Sequence, residues 1–337
     1  MRAMPNLDMM RAFAVILVIV EHTLLAYRVM WLGPFEVSWI GIAGVFLFFV
    51  HTSLVLMWSL ERKPHTLDFY IRRVFRIYPL AIAAVLIAVL FHAPVAATAA
   101  DYFQYSHASH STVLANCLLV QNLTGQINVI GVMWTLPLET QMYILLPLLF
   151  FFVRKNASQA LLLFLWLFAA VFAWHTFEYV NVAAAIPYFI PGVMAYVGFA
   201  KRRAKLPAWL FLPFLVLVVG GFLLRPSFQK GWLLCLVVGL LLPSFRQVRM
   251  PWLMRGSHEV AKYSYGMYLV HPFALVVSLY LLPHWPLAAQ LAVEVLVIGA
   301  ASVAAYHLLE KPMIRLGSKL AGAAEKRFEQ IEMTSEI

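Results

Sequence analysis

Long apolar runs, separated by short polar segments, extend along most of the chain. A run of about 20 apolar residues is long enough to cross a bilayer as a helix. The pattern predicts an all-α, polytopic membrane protein with about ten transmembrane helices, at residues 9–28, 37–59, 77–95, 134–153, 159–177, 183–199, 208–224, 231–245, 263–282 and 287–309. In the remaining stretch, 96–133, the apolar residues 113–123 are too few to span, which favours a re-entrant or interfacial segment.

The basic residues fall mainly on one side of these spans. With a cytoplasmic N-terminus, 22 of the 25 Lys and Arg residues lie in cytoplasmic segments, and only Arg28, Arg225 and Lys230 lie outside. Cytoplasmic loops normally carry such an excess. We therefore expect both termini in the cytoplasm, one transmembrane domain over residues 1–316, and a short cytoplasmic tail over residues 317–337 that suits an amphipathic helix.

Composition excludes several classes of protein. The chain is 63% hydrophobic and 12% charged, whereas a soluble domain is roughly half apolar and a quarter charged. The net charge of +10 suggests nucleic acid at first, but the basic residues follow membrane topology, so membrane lipids and not nucleic acid are the expected partner. The two cysteines, Cys117 and Cys235, make neither a disulfide framework nor a metal site.

Two ionisable residues share one face of the first span. Arg11 and His22 are eleven residues apart, which is three turns plus about 20° and a rise of about 16 Å. Ionisable groups at such depth usually serve a function, and an imidazole can act as a general base near neutral pH. A core histidine bonded to a neighbouring helix is the alternative. Glu21 projects about 100° away from His22, so we do not expect it to be the partner of His22.

Arginines cluster just before the third predicted span. Arg73 and Arg76 are neighbours on a helix surface at spacing i, i+3, and Arg72 adjoins them, with no lysine among them. Guanidinium groups suit fork-like contacts to phosphate. The cluster is therefore a candidate dock for a phosphorylated co-substrate on the cytoplasmic side, although contact with lipid headgroups is the simpler alternative.

A carboxylate lies inside the fourth span. Glu139 is placed roughly 22 Å from the cytoplasmic side, and His22 roughly 18–20 Å from it, so the two depths agree. A structural ion pair is the alternative role for Glu139. His51 and His271 are further buried polar candidates, each compatible with plain packing. The histidines at 107 and 110 lack a clear third ligand, so no metal is expected.

Five motifs, in order, resemble the integral-membrane acyltransferases of the acyltransferase 3 family, which include bacterial O-antigen and exopolysaccharide O-acetylases. The resemblance covers about residues 7–316. The second span departs from the family's frequent Phe-Phe-x-x-Ser-Gly, because residues 48–53 read FFVHTS. The five motifs are Arg11-x10-His22, Arg73-x-x-Arg76, Trp134-Thr-Leu-x-x-Glu139 with Tyr143, Ser264-Tyr-Gly-x-Tyr-Leu-x-His271, and Glu310-Lys-Pro.

The resemblance implies an acyl-CoA-dependent reaction at the bacterial cytoplasmic (inner) membrane. An acyl group, expected to be acetyl from acetyl-CoA, would pass from the cytoplasmic donor to a hydroxyl of an extracytoplasmic glycan or lipid-linked sugar. His22 would remove the hydroxyl proton, and Glu139 would orient or charge the imidazole. The expected contacts to the coenzyme are Arg11, Arg73 and Arg76, and the expected contacts to the acceptor are His51, Trp134, Tyr143 and His271.

Two alternatives stay open at the level of sequence. Direct attack and an acyl-enzyme intermediate are both compatible with the chain, and the lack of an obvious nucleophile favours direct transfer. The rival function is a polytopic transporter or flippase that uses His22 and Glu139 as a proton relay. Transporters commonly carry internal repeats, and none is visible between the two halves of this sequence.

Overall fold

The structure is a computed structural model that describes residues 4–63, 65–96, 103–105, 107–155, 158–176, 181–201 and 204–335. Within these ranges the regular structure is almost entirely helical. The helices are α1 Pro5–Ala26, α2 Ser38–Arg62, α3 Thr66–Leu90, α4 His110–Leu118, α5 Thr135–Lys155, α6 Gln159–Thr176, α7 Asn181–Lys201, α8 Phe211–Leu223, α9 Phe228–Leu241, α10 Pro251–Leu275, α11 Leu287–Ala305 and α12 Lys311–Ser335. A two-stranded antiparallel hairpin pairs β1 (Trp31–Leu32) with β2 (Phe35–Glu36).

The nearly all-α architecture predicted from the sequence is confirmed, and a helix lies at each of the ten predicted spans. Among the described residues, seven stretches are long and apolar enough to cross a membrane: Pro5–Ala26, Ser38–Arg62, Thr66–Leu90, Gly131–Lys155, Gln159–Thr176, Val182–Lys201 and Leu287–Glu325. The apolar helices Ala208–Leu223 and Phe228–Ser244 are shorter. Ten membrane crossings and two cytoplasmic termini therefore stay predictions.

The third helix begins earlier than the sequence pattern predicted. We predicted a membrane span from residue 77, but α3 begins at Thr66, so the arginine cluster lies on the helix itself, as the i, i+3 spacing of Arg73 and Arg76 indicated. The ion pair between Asp68 and Arg72 explains the extension, with Nε–Oδ2 and Nη2–Oδ1 distances of 2.8 and 3.0 Å. Opposite charges four residues apart stabilise a helical turn, and this pair covers the buried carboxylate of Asp68.

Other predicted boundaries also move. The predicted span at 263–282 is preceded by three further helical turns, because α10 begins at Pro251 and continues into a π-helical turn at Val276–Tyr280. The predicted tail is helical, since α11 passes through a second π-helical turn, Tyr306–Glu310, into α12 without a break. Residues 113–123 hold only the short helix α4, which ends where Leu119 adopts a left-handed conformation with φ 56°. Such a residue commonly ends a helix.

The structure divides into two compact units. The first contains Met1–Met57 and Leu138–Ser264, and the second contains Trp58–Pro137 and Tyr265–Ile337.

Aromatic rings and glycines organise the core of the first unit. The ring of Phe46 on α2 stacks on Tyr188 of α7 with a centroid separation of 4.4 Å, and Phe49 stacks on Phe189 at 4.6 Å. The Phe46 ring also lies against Gly231 on α9, where a Cβ atom would overlap the ring. These contacts join α2, α7 and α9 into one packed layer.

Replacing Gly239 should loosen this core. A Cβ atom at Gly239 would overlap the carbonyl group of Pro191 on α7, and backbone atoms cannot move aside as a flexible side chain can. Overpacking a helix contact costs about 1–3 kcal/mol. We expect Gly239→Ala to lower the thermal unfolding midpoint in detergent. Gly221→Ala is the matched control, because nothing lies within 4 Å of its Cβ position; equal midpoints for the two variants would contradict this packing.

The second unit is held together by α3, α12 and the end of α10. Tyr265 donates its hydroxyl to the Ile77 carbonyl on α3 at 2.7 Å. A Cβ atom at Gly317 on α12 would lie 2.5 Å from Phe75 Cβ on α3, so the glycine permits close approach of these two helices. Four residues of the predicted site belong to this unit: Arg73, Arg76, Trp134 and His271.

Candidate functional site

The helix that carries Arg11 and His22 is fixed at its N-terminal end. Asn6 is 1% exposed; its side-chain amide donates to the Arg246 carbonyl at 3.1 Å and its Oδ1 accepts from the Val248 amide at 2.9 Å. Asp8 pairs with His258 at 2.9 Å. Because α1 is one unbroken helix from Pro5 to Ala26, these bonds also set the register of the buried residues further along it.

His22 contacts two acceptor groups through the same ring nitrogen. Its Nδ1 lies 3.0 Å from the Val18 carbonyl oxygen and in close contact with Oε2 of Glu21. A carbonyl oxygen can only accept, so Nδ1 carries the proton in this arrangement. In the neutral ring, Nε2 then keeps its lone pair, which is the form that a general base requires.

The expectation that Glu21 would not be a partner of His22 is wrong. The 100° separation applies to the Cα–Cβ directions, but the longer Glu21 side chain bends back to reach the neighbouring ring. The Glu21 side chain is 8% exposed and that of His22 is 20% exposed. A charged group this deeply buried is stabilised by a nearby partner, and the imidazole supplies one.

Two glycines on α2 shape the space around this pair. A Cβ atom at Gly41 would lie 2.5 Å from Glu21 Oε2, and one at Gly44 would lie 2.6 Å from the Ala14 carbonyl oxygen. Close approach of the two helices requires the missing side chain at Gly44, where the neighbour is backbone, whereas the space at Gly41 is occupied by the Glu21 carboxylate. The two glycines were not singled out from the sequence, although small residues are generally enriched where transmembrane helices approach closely.

The carboxylate of Glu139 is held within its own helix. Its Oε1 accepts a hydrogen bond of 2.5 Å from the hydroxyl of Tyr143, one turn further along α5. Glu139 is half-buried and Tyr143 is 6% exposed. The bond gives Tyr143 a role in positioning the carboxylate, in addition to the acceptor contact that the sequence suggested. The pairing of Glu139 with His22 stays a prediction.

His51 lies on α2 in the first unit and is 6% exposed. Its neighbour Ser53 donates to the carbonyl of Phe49 at 2.9 Å, and Gly192 on α7 gives that hydroxyl room. His51 and Ser53 are thus packed in the interior of the first unit, whereas Thr52 is half-buried. Whether His51 contacts an acceptor stays a prediction.

The three arginines of α3 differ in their surroundings. Arg72 is bound by Asp68 through two hydrogen bonds. Arg73 donates to Ser59 Oγ at 3.4 Å, and its guanidinium carbon lies 5.7 Å from the centre of the Phe69 ring. Arg76 is half-buried and has no hydrogen-bond or ion-pair partner in the part of the chain that the structure describes. An anion at Arg76 would therefore meet no competing partner among the described residues, and the binding of a phosphate there stays a prediction.

The remaining motif residues of the second unit are tied together. Tyr268 on α10 donates a short hydrogen bond to the Val132 carbonyl and contacts Thr135 Oγ1 at 2.8 Å. These bonds fix the turn that ends at Trp134. His271, one turn beyond Met267, is fully buried and its Nδ1 lies 3.1 Å from the Met267 carbonyl oxygen.

The predicted site residues therefore form two sets. The first unit holds Arg11, His22, His51, Glu139 and Tyr143, whereas the second holds Arg73, Arg76, Trp134 and His271. Three further residues were not predicted from the sequence as parts of the site: Glu21 and Gly41 of the first set and Tyr268 of the second.

No group of three or more His, Cys, Asp or Glu side chains that could hold a metal ion occurs within the described ranges. Asp101, the acidic residue nearest in sequence to the histidines at 107 and 110, lies outside those ranges.

The helices, their apolar surfaces and the buried ionisable groups define a multi-pass helical membrane protein. The acyltransferase domain family, acyltransferase 3, matches residues 4–308, so the chain belongs to that family. The resemblance inferred from the five motifs is thereby confirmed, and the class of reaction is acyl transfer. No curated protein and no solved structure matches the chain.

Proposed function

We propose that this protein is an O-acyltransferase that moves an acetyl group from acetyl-CoA to a hydroxyl of a glycan or lipid-linked sugar. The donor reaches the protein from the cytoplasm, and the acceptor lies on the outer side of a bacterial cytoplasmic membrane. Family membership supports acyl transfer. It favours this function over the transporter alternative, which would need no acyl donor.

The observation that carries the proposal is the orientation of the His22 ring. With Nδ1 directed at the Val18 carbonyl oxygen, the Nε2 lone pair accepts the proton of the acceptor hydroxyl. The alkoxide oxygen then attacks the thioester carbonyl, the new C–O bond forms and the C–S bond breaks. The imidazolium returns its proton to the thiolate of coenzyme A. Each proton and electron pair is balanced without an acyl-enzyme.

Further side chains are proposed to stabilise charge and to bind the donor and the acceptor. Glu139, held by Tyr143, is proposed to stabilise the positive charge that His22 gains. Arg76 and Arg73 on α3 are proposed to bind phosphate groups of the coenzyme, since guanidinium groups match phosphate geometry. Arg11 is proposed as a further contact to the donor. His51, Trp134 and His271 are proposed to contact the acceptor.

Incubation of the purified protein with radiolabelled acetyl-CoA and a bacterial membrane glycan fraction tests this function. The expected result is enzyme-dependent label in the glycan together with release of free coenzyme A. Transport of the unmodified glycan without label transfer would support the transporter alternative. Neither label transfer nor coenzyme release above the level without enzyme would contradict the proposed donor and acceptor.

A further inference from the structure

We propose that Glu21 is the positioning residue of the general base, and that Gly41 exists at its position to admit the Glu21 carboxylate. The inference rests on the proposed function, because it assigns Glu21 a role through His22 in that same reaction. Glu21 is not one of the specified residues of the five family motifs.

The first support is the contact between the two side chains. Glu21 Oε2 meets His22 at Nδ1, the nitrogen that also faces the Val18 carbonyl oxygen. Two acceptors on one side of the ring oppose rotation by 180°, because the flipped ring would replace the Nδ1–H donor with the much weaker Cδ2–H group at both of them. Glu21 therefore favours the tautomer and the ring orientation that leave Nε2 able to accept a proton.

The second support is the space in which the carboxylate lies. Glu21 is 6% exposed overall, and α2 approaches it at the position of Gly41. A methyl group there would lie 2.5 Å from Oε2 and 3.0 Å from Cδ of Glu21. The carboxylate thus fills a space that a single missing side chain provides, which confines it against the imidazole.

The third support is the charge balance during the reaction. When Nε2 takes the acceptor proton, the ring becomes a cation inside an apolar bundle. An unpaired buried cation is costly, and a carboxylate in contact with Nδ1 offsets this cost at the moment when the charge forms. Oriented groups of this kind act on the transition state more than on the bound substrates. The expected signature of losing Glu21 is therefore in kcat and not in KM.

Glu21→Gln tests the proposal, because glutamine retains the shape and one acceptor oxygen but lacks the charge. We expect kcat for acetyl transfer to fall by about 10- to 100-fold, which is the loss found when the partner that orients a metal-bound histidine is replaced and is applied here to a histidine base. The KM for acetyl-CoA should stay within about twofold, because no donor contact is lost. Rates are normalised to folded monodisperse protein from size-exclusion chromatography, and Glu259→Gln on the exposed part of α10 is the control.

A second pair of variants separates positioning from simple packing. Gly41→Ala should reduce kcat in the same direction by displacing the carboxylate, whereas Gly221→Ala, with open space around it, should not. Formate should restore part of the rate of Glu21→Ala by supplying a carboxylate to the vacated space. Formate should not restore His22→Ala.

The outcomes distinguish this inference from the proposed function. An unmodified protein that transfers no label contradicts the proposed function itself. An active protein whose Glu21→Gln variant keeps the full kcat overturns the role of Glu21 and leaves the acyltransferase assignment intact. A reduced kcat that formate does not rescue in Glu21→Ala, together with a lowered unfolding midpoint in Glu21→Gln, would show a packing role and also overturn the inference.

Discussion

His22→Ala should lower kcat for acyl transfer by about 100- to 10,000-fold, the contribution that a positioned general base usually makes. The variant lacks the imidazole whose Nδ1 is held by the Val18 carbonyl oxygen and Glu21, which leaves Nε2 to take the acceptor proton in the proposed reaction. The measurement is initial-rate label transfer at saturating donor.

His175→Ala is the matched control for this variant. His175 lies in the last turn of α6 and is exposed, so its loss should leave the rate unchanged. The thermal unfolding midpoint of His22→Ala should fall, because the buried Glu21 carboxylate loses its partner, so the rate is normalised to folded protein. A folded His22→Ala enzyme that keeps its full rate would contradict the base assignment.

Arg76→Ala should raise the KM for acetyl-CoA by about 10- to 100-fold and leave kcat nearly unchanged. A hydrogen bond between charged groups is worth about 1.5–3 kcal/mol, and 1.4 kcal/mol corresponds to about tenfold in binding. Arg76 has no competing partner among the described residues, so its full interaction is available to a phosphate group. The measurement is a donor titration of the initial rate.

Arg255→Ala is the control for Arg76→Ala, because Arg255 is an exposed residue of α10 outside the proposed machinery. The effect of Arg76→Ala should also weaken at high salt, since screening reduces the attraction between Arg76 and the coenzyme phosphates in the unmodified protein. An unchanged KM in Arg76→Ala would remove this residue from the donor site and leave Arg73 and Arg11 as the candidates.

Much of the fold follows from the lengths of the apolar runs along the chain. Apolar runs about as long as the bilayer is thick have few structural alternatives in a membrane, so each predicted span coincides with a helix. The ends of the helices were harder to predict, because charged side chains can extend a helix beyond its apolar part. Asp68 and Arg72 form such a pair at the start of α3, ahead of the apolar part from which the span was predicted.

The relation between two site residues was predictable where both lie on the same helix, because their spacing fixes the face that they share. Arg11 and His22 lie on a single unbroken helix, as their spacing indicated. Glu21 was misjudged because helical angles describe Cβ directions, whereas its contact with His22 depends on side-chain conformation and on the absence of a side chain at Gly41 of another helix. Contacts of this kind depend on tertiary packing, and a one-dimensional pattern does not contain them.

The anchoring role of Tyr268 illustrates the same limit. Its motif marked the residue as notable, but its hydrogen-bond partners, Val132 and Thr135, are more than 130 positions away in sequence. No spacing rule connects residues so far apart. Arg76 could be ranked ahead of Arg72 and Arg73 as a proposed phosphate contact only when the partners of those two residues were known.

Proteoliposomes loaded with radiolabelled acetyl-CoA test trans-bilayer acyl transfer most directly. The purified protein is reconstituted with lipid-linked glycan from bacterial membranes, and external donor is removed, so that only label starting inside can react. We predict labelled glycan that an outside-acting deacetylase can release, with at least a 100-fold lower rate in His22→Ala. Label that never exceeds the level of protein-free liposomes, or that appears equally with His22→Ala, would contradict transfer through this histidine.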